Sequence, residues 1–244
     1  MIPRLRAALR RYSRTVESGR RDEVERFVET LLQSGEGFSN QLLVLLGDPA
    51  ASPELRAQAC WLLRILEERP AIPILIKIVQ DRKLGVLLRR EATQALGSLP
   101  SKRSVRPLIE ILLNADDDEW VRRMAAHSLG RLDDPRGRDV LFRIIKDSHV
   151  PPEIRGDATE ALTGFHDVRA VPTLLEQLRD PSPEVRFWAI FSLGQVADTD
   201  VIPELERIVN EDDAVAPGWW SLRKEARDAI QVIRDRAHQM RASG

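Results

Sequence analysis

An apolar residue followed by arginine recurs six times, with alanine three places beyond the arginine and leucine or isoleucine four beyond that. The copies stand at Leu55-Arg56, Leu88-Arg89, Val121-Arg122, Ile154-Arg155, Val185-Arg186 and Leu222-Arg223. Successive arginines are 33, 33, 33, 31 and 37 residues apart. A period of this length marks stacked repeats, because a unit of two short elements cannot bury its apolar face alone and must share it with its neighbours.

The elements of one unit can be read from the copy that runs from Val171 to Ala197. Val171, Leu174, Leu175 and Leu178 stand at helical spacing with Pro172 in the first turn, where its missing N–H costs nothing. This is helix A. Asp180-Pro181 ends it, Ser182 is placed as N-cap, Pro183 suits the first helical position and Glu184 suits the positive helix end. Helix B then carries Val185, Ala189, Ser192, Leu193 and Val196 on one stripe. Pro73, Pro107 and Pro203 repeat the helix A proline, and Gly97 and Gly130 repeat Gly194 near the end of helix B. Only 5% of residues are aromatic, and leucine, alanine, arginine and glutamate are abundant, so helix is favoured throughout over strand.

The repeated arginine has acids at regular offsets. Asp48, Asp81 and Asp147 stand eight residues before Arg56, Arg89 and Arg155, and Asp180 stands six before Arg186. This predicts charge pairs across the turn between helices A and B or to the next repeat, an internal ladder rather than a row of cations offered to phosphate.

The turn Asp-Pro-x-Pro-Glu-Val-Arg, the helix B run Ala-x-x-Ser-Leu-Gly and the Ile-Pro or Val-Pro of helix A resemble HEAT repeats of the short phycobilisome-lyase type, over about residues 39 to 240. The tetratricopeptide Trp, Gly and Tyr signature and the ankyrin Thr-Pro-Leu-His turn are not found. The resemblance implies an all-α fold, an α-solenoid in which helical hairpins build a right-handed superhelix, and it implies protein binding or assembly. Some relatives attach bilins to phycobiliproteins, whereas others have no chemistry.

Residues 1–38 read as N-terminal capping helices, over 2–16 and 21–33, and residues 39–244 as six repeats of a single structural unit whose last member caps the C-terminal end. The first 21 residues hold seven arginines and one acid, a balance shared with mitochondrial transit peptides but read here as a basic end cap. Repeat four departs from the pattern, with Asp139 in the proline position, Gly156 inside helix B and Thr163 for the terminal glycine. Since mid-helix glycine costs about 1 kcal/mol relative to alanine, this repeat is a candidate bend or joint. Repeat six has a longer turn, Asn210 to Gly218, ending in Trp219-Trp220.

Several classes of chemistry are not expected. No two of His127, His149, His166 and His238 have ligand spacing, and the single Cys60 sits among core positions of helix B, so neither a metal nor a cofactor is anticipated. Each histidine is followed by Ser128, Val150, Asp167 or Gln239 rather than glutamate, which excludes the iron-binding His-Glu pairs of HEAT-like hydroxylases. The acids Asp116 to Glu119 lack the glycine and terminal glutamate of a calcium loop and read as an N-cap loop. No phosphate loop or nucleophile, base and orienter set is found, so no catalytic residue is assigned. The net charge of −1 draws the chain neither to nucleic acid nor to an anionic membrane, and no apolar run reaches the roughly 18 residues of a membrane span. A cytoplasmic protein fits these readings.

Function is sought where the repeats differ. Positions two and five residues beyond each arginine should lie off the core stripe, toward a concave face. They are Gln58 and Trp61, Glu91 and Gln94, Met124 and His127, Asp157 and Glu160, Trp188 and Phe191, then Glu225 and Asp228. Phe187, Trp188 and Phe191 place three large aromatics near one spot, with Trp61 and Met124 adding apolar area and His127, Asp157 and Glu160 adding charge. The expectation is a non-enzymatic scaffold that binds a protein or peptide partner through these side chains, the aromatics as anchors. The alternatives are a bilin lyase or chromophore-handling chaperone, and a HEAT-like nucleic-acid-binding protein or glycosylase. The last is not expected, since Arg90, Arg123 and Lys224 are interleaved with acids.

Overall fold

Proline, serine and aspartate set the helix boundaries in a computed structural model that describes residues 37–165 and 168–242. The capping helices expected in the first 36 residues, and His166, lie outside the described residues. Twelve α-helices follow in order. In chain order they are α1 (Gly37–Gly47), α2 (Pro53–Ile65), α3 (Ile72–Gln80), α4 (Val86–Ser98), α5 (Lys102–Leu113), α6 (Glu119–Leu132), α7 (Pro135–Lys146), α8 (Pro152–Leu162), α9 (Val171–Gln177), α10 (Pro183–Val196), α11 (Ile202–Glu211) and α12 (Leu222–Ala242). Odd-numbered helices are the A members of the six hairpins and even-numbered ones the B members. Among the described residues extended pairing is limited to one isolated bridge, Val215 to Ser221, in the turn of repeat six.

Local chemistry explains the boundaries. Ser52 accepts the Leu55 amide at the start of α2, and Asp118 accepts those of Trp120 and Val121 at the start of α6, so the acidic run at 116–119 is indeed a capping loop. Ser182 stands at the N-cap of α10 but its side chain makes no capping bond; Asp180 Oδ1 instead accepts the Ser182 amide. Pro73, Pro172 and Pro203 occupy first turns as expected, whereas Pro107 lies inside α5. The reason is that Ser101 accepts the Arg103 amide and starts that helix upstream of the proline.

The chain divides into two compact units, residues 1–107 and 108–244. In the first, α2 packs on α1 and α4, and α3 on α4. In the second, α8 packs against α6 and α10, and α10 against α12, while α7, α9 and α11 cover the neighbouring B helices from one side. The repeated alanines and leucines close the core: Ala125, Ala158, Ala189 and Ala226 and Leu129, Leu162 and Leu193 are buried. Each fully buried leucine contributes about 1.5–3 kcal/mol.

Four of the six arginines are internal, and of the two pairings the spacing allows, the one to the next repeat is seen in the second unit. Arg56, Arg89, Arg122 and Arg155 are buried. Arg56 Nε donates to the Leu46 carbonyl at 3.0 Å, Arg89 Nη2 to Val79 at 2.9 Å and Arg122 Nε to Leu112 at 3.2 Å. Each thus caps carbonyls at the end of its own helix A, where four acceptors lack helical partners. The acids, and Asn114 in the third repeat, also fold the turn. Asp48, Asp81, Asn114, Asp147, Asp180 and Asp212 each accept the amide two residues on, folding the A–B turn through their side chains. Charge pairing along the stack is seen in the second unit, where Arg155 meets Asp180 at 2.8 Å and Arg186 meets Asp212 at 2.9 Å, each acid belonging to the following repeat.

Gly156 is not a joint. Helix α8 runs through it unbroken, and the residue is buried because the Trp188 indole lies on it: a Cβ there would stand 2.9 Å from Trp188 Cδ1. Gly130 and Gly194 answer the same need, a Cβ on Gly130 falling 2.6 Å from the Ala161 carbonyl oxygen and one on Gly194 falling 3.0 Å from Ala229 Cβ. Glycine near the end of helix B therefore permits close approach of the next B helix. At the last repeat, Arg236 of α12 donates to the Gly194 and Ala197 carbonyls at 2.6 and 3.1 Å and caps the end of α10.

Candidate functional site

The B helices of the second unit bring together residues that lie about thirty positions apart in the chain. His127 on α6 reaches Asp157 on α8, Nε2 to Oδ1 at 3.4 Å, and Glu160 on α8, Nδ1 to Oε2 at 3.6 Å. Arg123, one turn before His127, donates through Nε to Asp157 Oδ2 at 2.5 Å and through Nη2 to Oδ1 at 3.3 Å, and its guanidinium lies 4.7 Å from the centre of the Trp120 ring. Residues three apart on a helix share a face, so Asp157 and Glu160 both turn toward α6. Residues two and five beyond the repeated arginine of α8 thus meet the residue five beyond that of α6.

Electrostatics on this face are unbalanced. Burial pushes the Asp157 carboxyl up, yet the contacts of His127 and the hydrogen bonds of Arg123 together outweigh it and hold Asp157 below the usual carboxylate range. Glu160 is pushed up by burial, which His127 opposes and Asp157 reinforces. Glu184 is likewise pushed up by burial, with Arg123 opposing and Glu153, Asp157 and Glu119 adding repulsion. Burial is thus the main cause for both glutamates, and repulsion from neighbouring acids adds to it.

The aromatics require a correction. Phe187 and Trp188 are 1% and 8% exposed, so neither is displayed to solvent. The turn of repeat six covers them, since the left-handed Gly218 (φ 79°) delivers Trp219 and Trp220 against α10. Phe187 stacks on Trp219 with centroids 5.1 Å apart, and Trp188 meets Trp219 edge-on at 5.2 Å and Phe191 at 5.7 Å. The rings that do face solvent are Trp219 and Trp220, at 42% and 43% exposure, with Phe191 half-buried beside Trp188. The Trp doublet was legible in the sequence, but that it lies over repeat five was not. Met124 is half-buried on α6, and Trp61 is half-buried on α2 in the first unit.

Trp220 donates its indole N–H to Glu225 Oε2 at 2.7 Å, and its face carries the Lys224 ammonium 4.2 Å from the ring centre. Burial pushes the Glu225 carboxyl up against that hydrogen bond. A carboxyl with a raised value in the folded state binds protons more readily there than when unfolded, so it stabilises the fold fully only below its unfolded value of about 4.3 and loses that contribution as pH rises through the folded value. Glu225→Gln is therefore expected to raise the melting temperature at about pH 8 and to leave it nearly unchanged at about pH 4. A difference between variant and parent that is the same at both pH values would contradict this account.

The three cations interleaved with acids along the B helices each have an acidic partner. Arg90 pairs with Glu91 at 3.0 Å, Arg123 with Asp157 and Lys224 with Asp228 at 2.6 Å. No described helix is long and apolar enough to cross a membrane.

Hairpins stacked through their B helices, braced by a repeated arginine, define an α-solenoid. The chain belongs to the HEAT-repeat family, whose profile matches residues 85–163 and 148–219, more than half of its length. Among curated proteins none matches. Among solved structures, the complex of CpcE and CpcF of phycocyanin lyase from Nostoc sp. PCC7120 is similar at 24% identity and a TM-score of 0.56, over 80% of this chain and 76% of that one. A chain from the structure of Kap95p with RanGDP is similar at 13% identity and a TM-score of 0.60, over 94% of this chain and 34% of that one. An engineered protein is similar at 18% identity and a TM-score of 0.50, over 81% and 96%. At these identities the likeness is one of fold.

Proposed function

We propose that this chain is a non-enzymatic scaffold that binds a partner protein along the B-helix face of its second unit, taking a segment that carries apolar and basic side chains. One observation carries the reading: Trp219 and Trp220 present exposed rings on a base of buried Phe187 and Trp188, and Trp188 rests on Gly156, next to the carboxylates of α8 and α10. Rigid, half-exposed tryptophan is the side chain most often found at the energetic centre of protein interfaces. The half-buried carboxylates of Glu160 and Glu184 supply the reason for a basic partner, since an incoming ammonium or guanidinium would find charged acceptors there.

Proteins of similar fold lend support: CpcE and CpcF form a complex with each other, and Kap95p binds RanGDP. A nucleic-acid partner is disfavoured by the engagement of Arg90, Arg123 and Lys224, and bilin handling rests on family resemblance alone.

The test is the double variant Trp220→Ser with Glu184→Gln, compared with the parent in quantitative affinity capture from the native organism. Losing a central tryptophan is expected to weaken capture of specific partners by roughly 30-fold, equivalent to about 2 kcal/mol. Circular dichroism would check that the helices persist. A folded double variant that retains the same partners at the same level would sink the assignment.

A further inference from the structure

No single segment of the chain carries donors at metal-ligand spacing among His127, His149, His166 and His238. The fold assembles a set from two. His127 on α6 and Asp157 and Glu160 on α8 offer one nitrogen and two carboxylate oxygens that all lie within 4.8 Å of one another. We infer that His127, Asp157 and Glu160 form a binding site for a divalent transition-metal ion of the zinc class, clipping repeat three to repeat four. This goes beyond the scaffold reading and does not depend on it.

The arrangement fits in four respects. First, two donors three residues apart on one helix, met by a donor from the facing helix, is how helical bundles build metal sites in their interiors. Second, the spacing suits an ion. Bonds of about 2.0–2.2 Å to a tetrahedral ion put neighbouring donors about 3.4 Å apart, the separation of His127 Nε2 and Asp157 Oδ1. One ring nitrogen ligates, and the three donor atoms, one from each residue, lie within 4.8 Å of one another, while the 3.6 Å contact to Glu160 is made by the other nitrogen, Nδ1. Third, Asp157 is held in place by Arg123, which takes Oδ2 at 2.5 Å and reaches Oδ1 more loosely at 3.3 Å while Oδ1 also faces His127, the support that metal-binding carboxylates commonly receive. Fourth, His127 and Glu160 are half-buried while Asp157 is buried, so the site has a covered side and an open side by which an ion can enter. Imidazole with two carboxylates, and no thiolate, suits zinc, cobalt or manganese rather than a soft ion.

The experiment uses the full chain, purified without a polyhistidine tag and stripped with chelator, and adds Zn2+ or Co2+ alone. The expected result is one Co2+ per chain with visible ligand-field absorption, displacement by Zn2+, and a melting temperature that rises with metal concentration. His127→Gln and Glu160→Gln, both at half-buried positions, should each weaken binding at least tenfold while the apo proteins keep their helical spectra. X-ray absorption of the metal-loaded parent provides a check independent of substitution and should show one imidazole among oxygen ligands. Absence of absorption and of any thermal shift at millimolar metal would overturn the inference. So would affinity unchanged in both variants, or scattering from sulfur or from two or more imidazoles. Loss of partner capture in the Trp220→Ser, Glu184→Gln variant with metal binding intact would leave the two readings separately judged.

Discussion

Replacing Phe187 with alanine is expected to lower the unfolding free energy by about 3–5 kcal/mol, the range for removing a buried phenyl ring. Phe187 is among the largest fully buried side chains, and it touches Trp188, Trp219 and Trp220 at centroid distances of 5.4, 5.1 and 5.9 Å. Its position is unusual in that two of those neighbours come from a turn rather than a helix. Without the ring, the stacked face of Trp219 has nothing to lie on, and the cavity is lined by indoles that cannot collapse into it without leaving Gly156 or Glu225. Denaturant unfolding would measure the loss, and a red shift of tryptophan emission in the folded state would report that the doublet has come loose. Phe191→Ala, at a half-buried position, should cost less. A Phe187→Ala loss below about 1 kcal/mol with unchanged emission would show that the turn does not depend on this ring.

Arg155→Ala is expected to have an effect of similar size by a different route. The buried guanidinium donates to the Val150 carbonyl at 2.7 Å and to both carboxylate oxygens of Asp180 at 2.8 and 2.9 Å. Removing one member of a sheltered ion pair leaves the other without its counter-charge and costs about 3–5 kcal/mol. Asp180 retains its bond to the Ser182 amide, so the turn itself survives, and the loss falls on the connection between repeats four and five. Arg155→Lys should recover little, because an ammonium cannot match the planar fork that serves the carbonyl and the carboxylate together. A double-mutant cycle with Asp180→Asn isolates the pair from the carbonyl cap, since asparagine keeps an acceptor for Ser182. Equal stability of Arg155→Ala and parent would remove the brace from this account.

The same arginine shows where reading the chain succeeds and where it stops. Its burial follows from sequence, because a cation placed every 33 residues next to a core stripe has to serve the repeat itself. Its partner does not, since Asp48, Asp81 and Asp147 stand at a plausible offset yet are used to fold their own turns. Local bonds to an amide two residues away form without ordering anything else, and nothing in the local spacing says which longer-range partner is added to them. Gly156 fails in the same manner: along the chain it reads as a weak point in a helix, and only the indole of Trp188, thirty-two residues later, makes it a space that must stay open.

What the sequence by itself determined is everything that depends on neighbours within a turn or on the period of the repeat. The two helices per unit, their proline and acidic starts, the stripe of alanine and leucine and the HEAT-repeat class all rest on contacts between residues a few positions apart or on a pattern repeated six times. Tertiary structure alone decided which rings are covered and which charges meet. Trp219-Trp220 shield Phe187 and Trp188 because the longest turn folds back over the preceding B helix, and His127 meets Asp157 and Glu160 because stacking puts successive B helices side by side. Those juxtapositions are set by helix packing over distances that no local spacing encodes, and they hold the residues on which both the proposed partner surface and the proposed metal site depend.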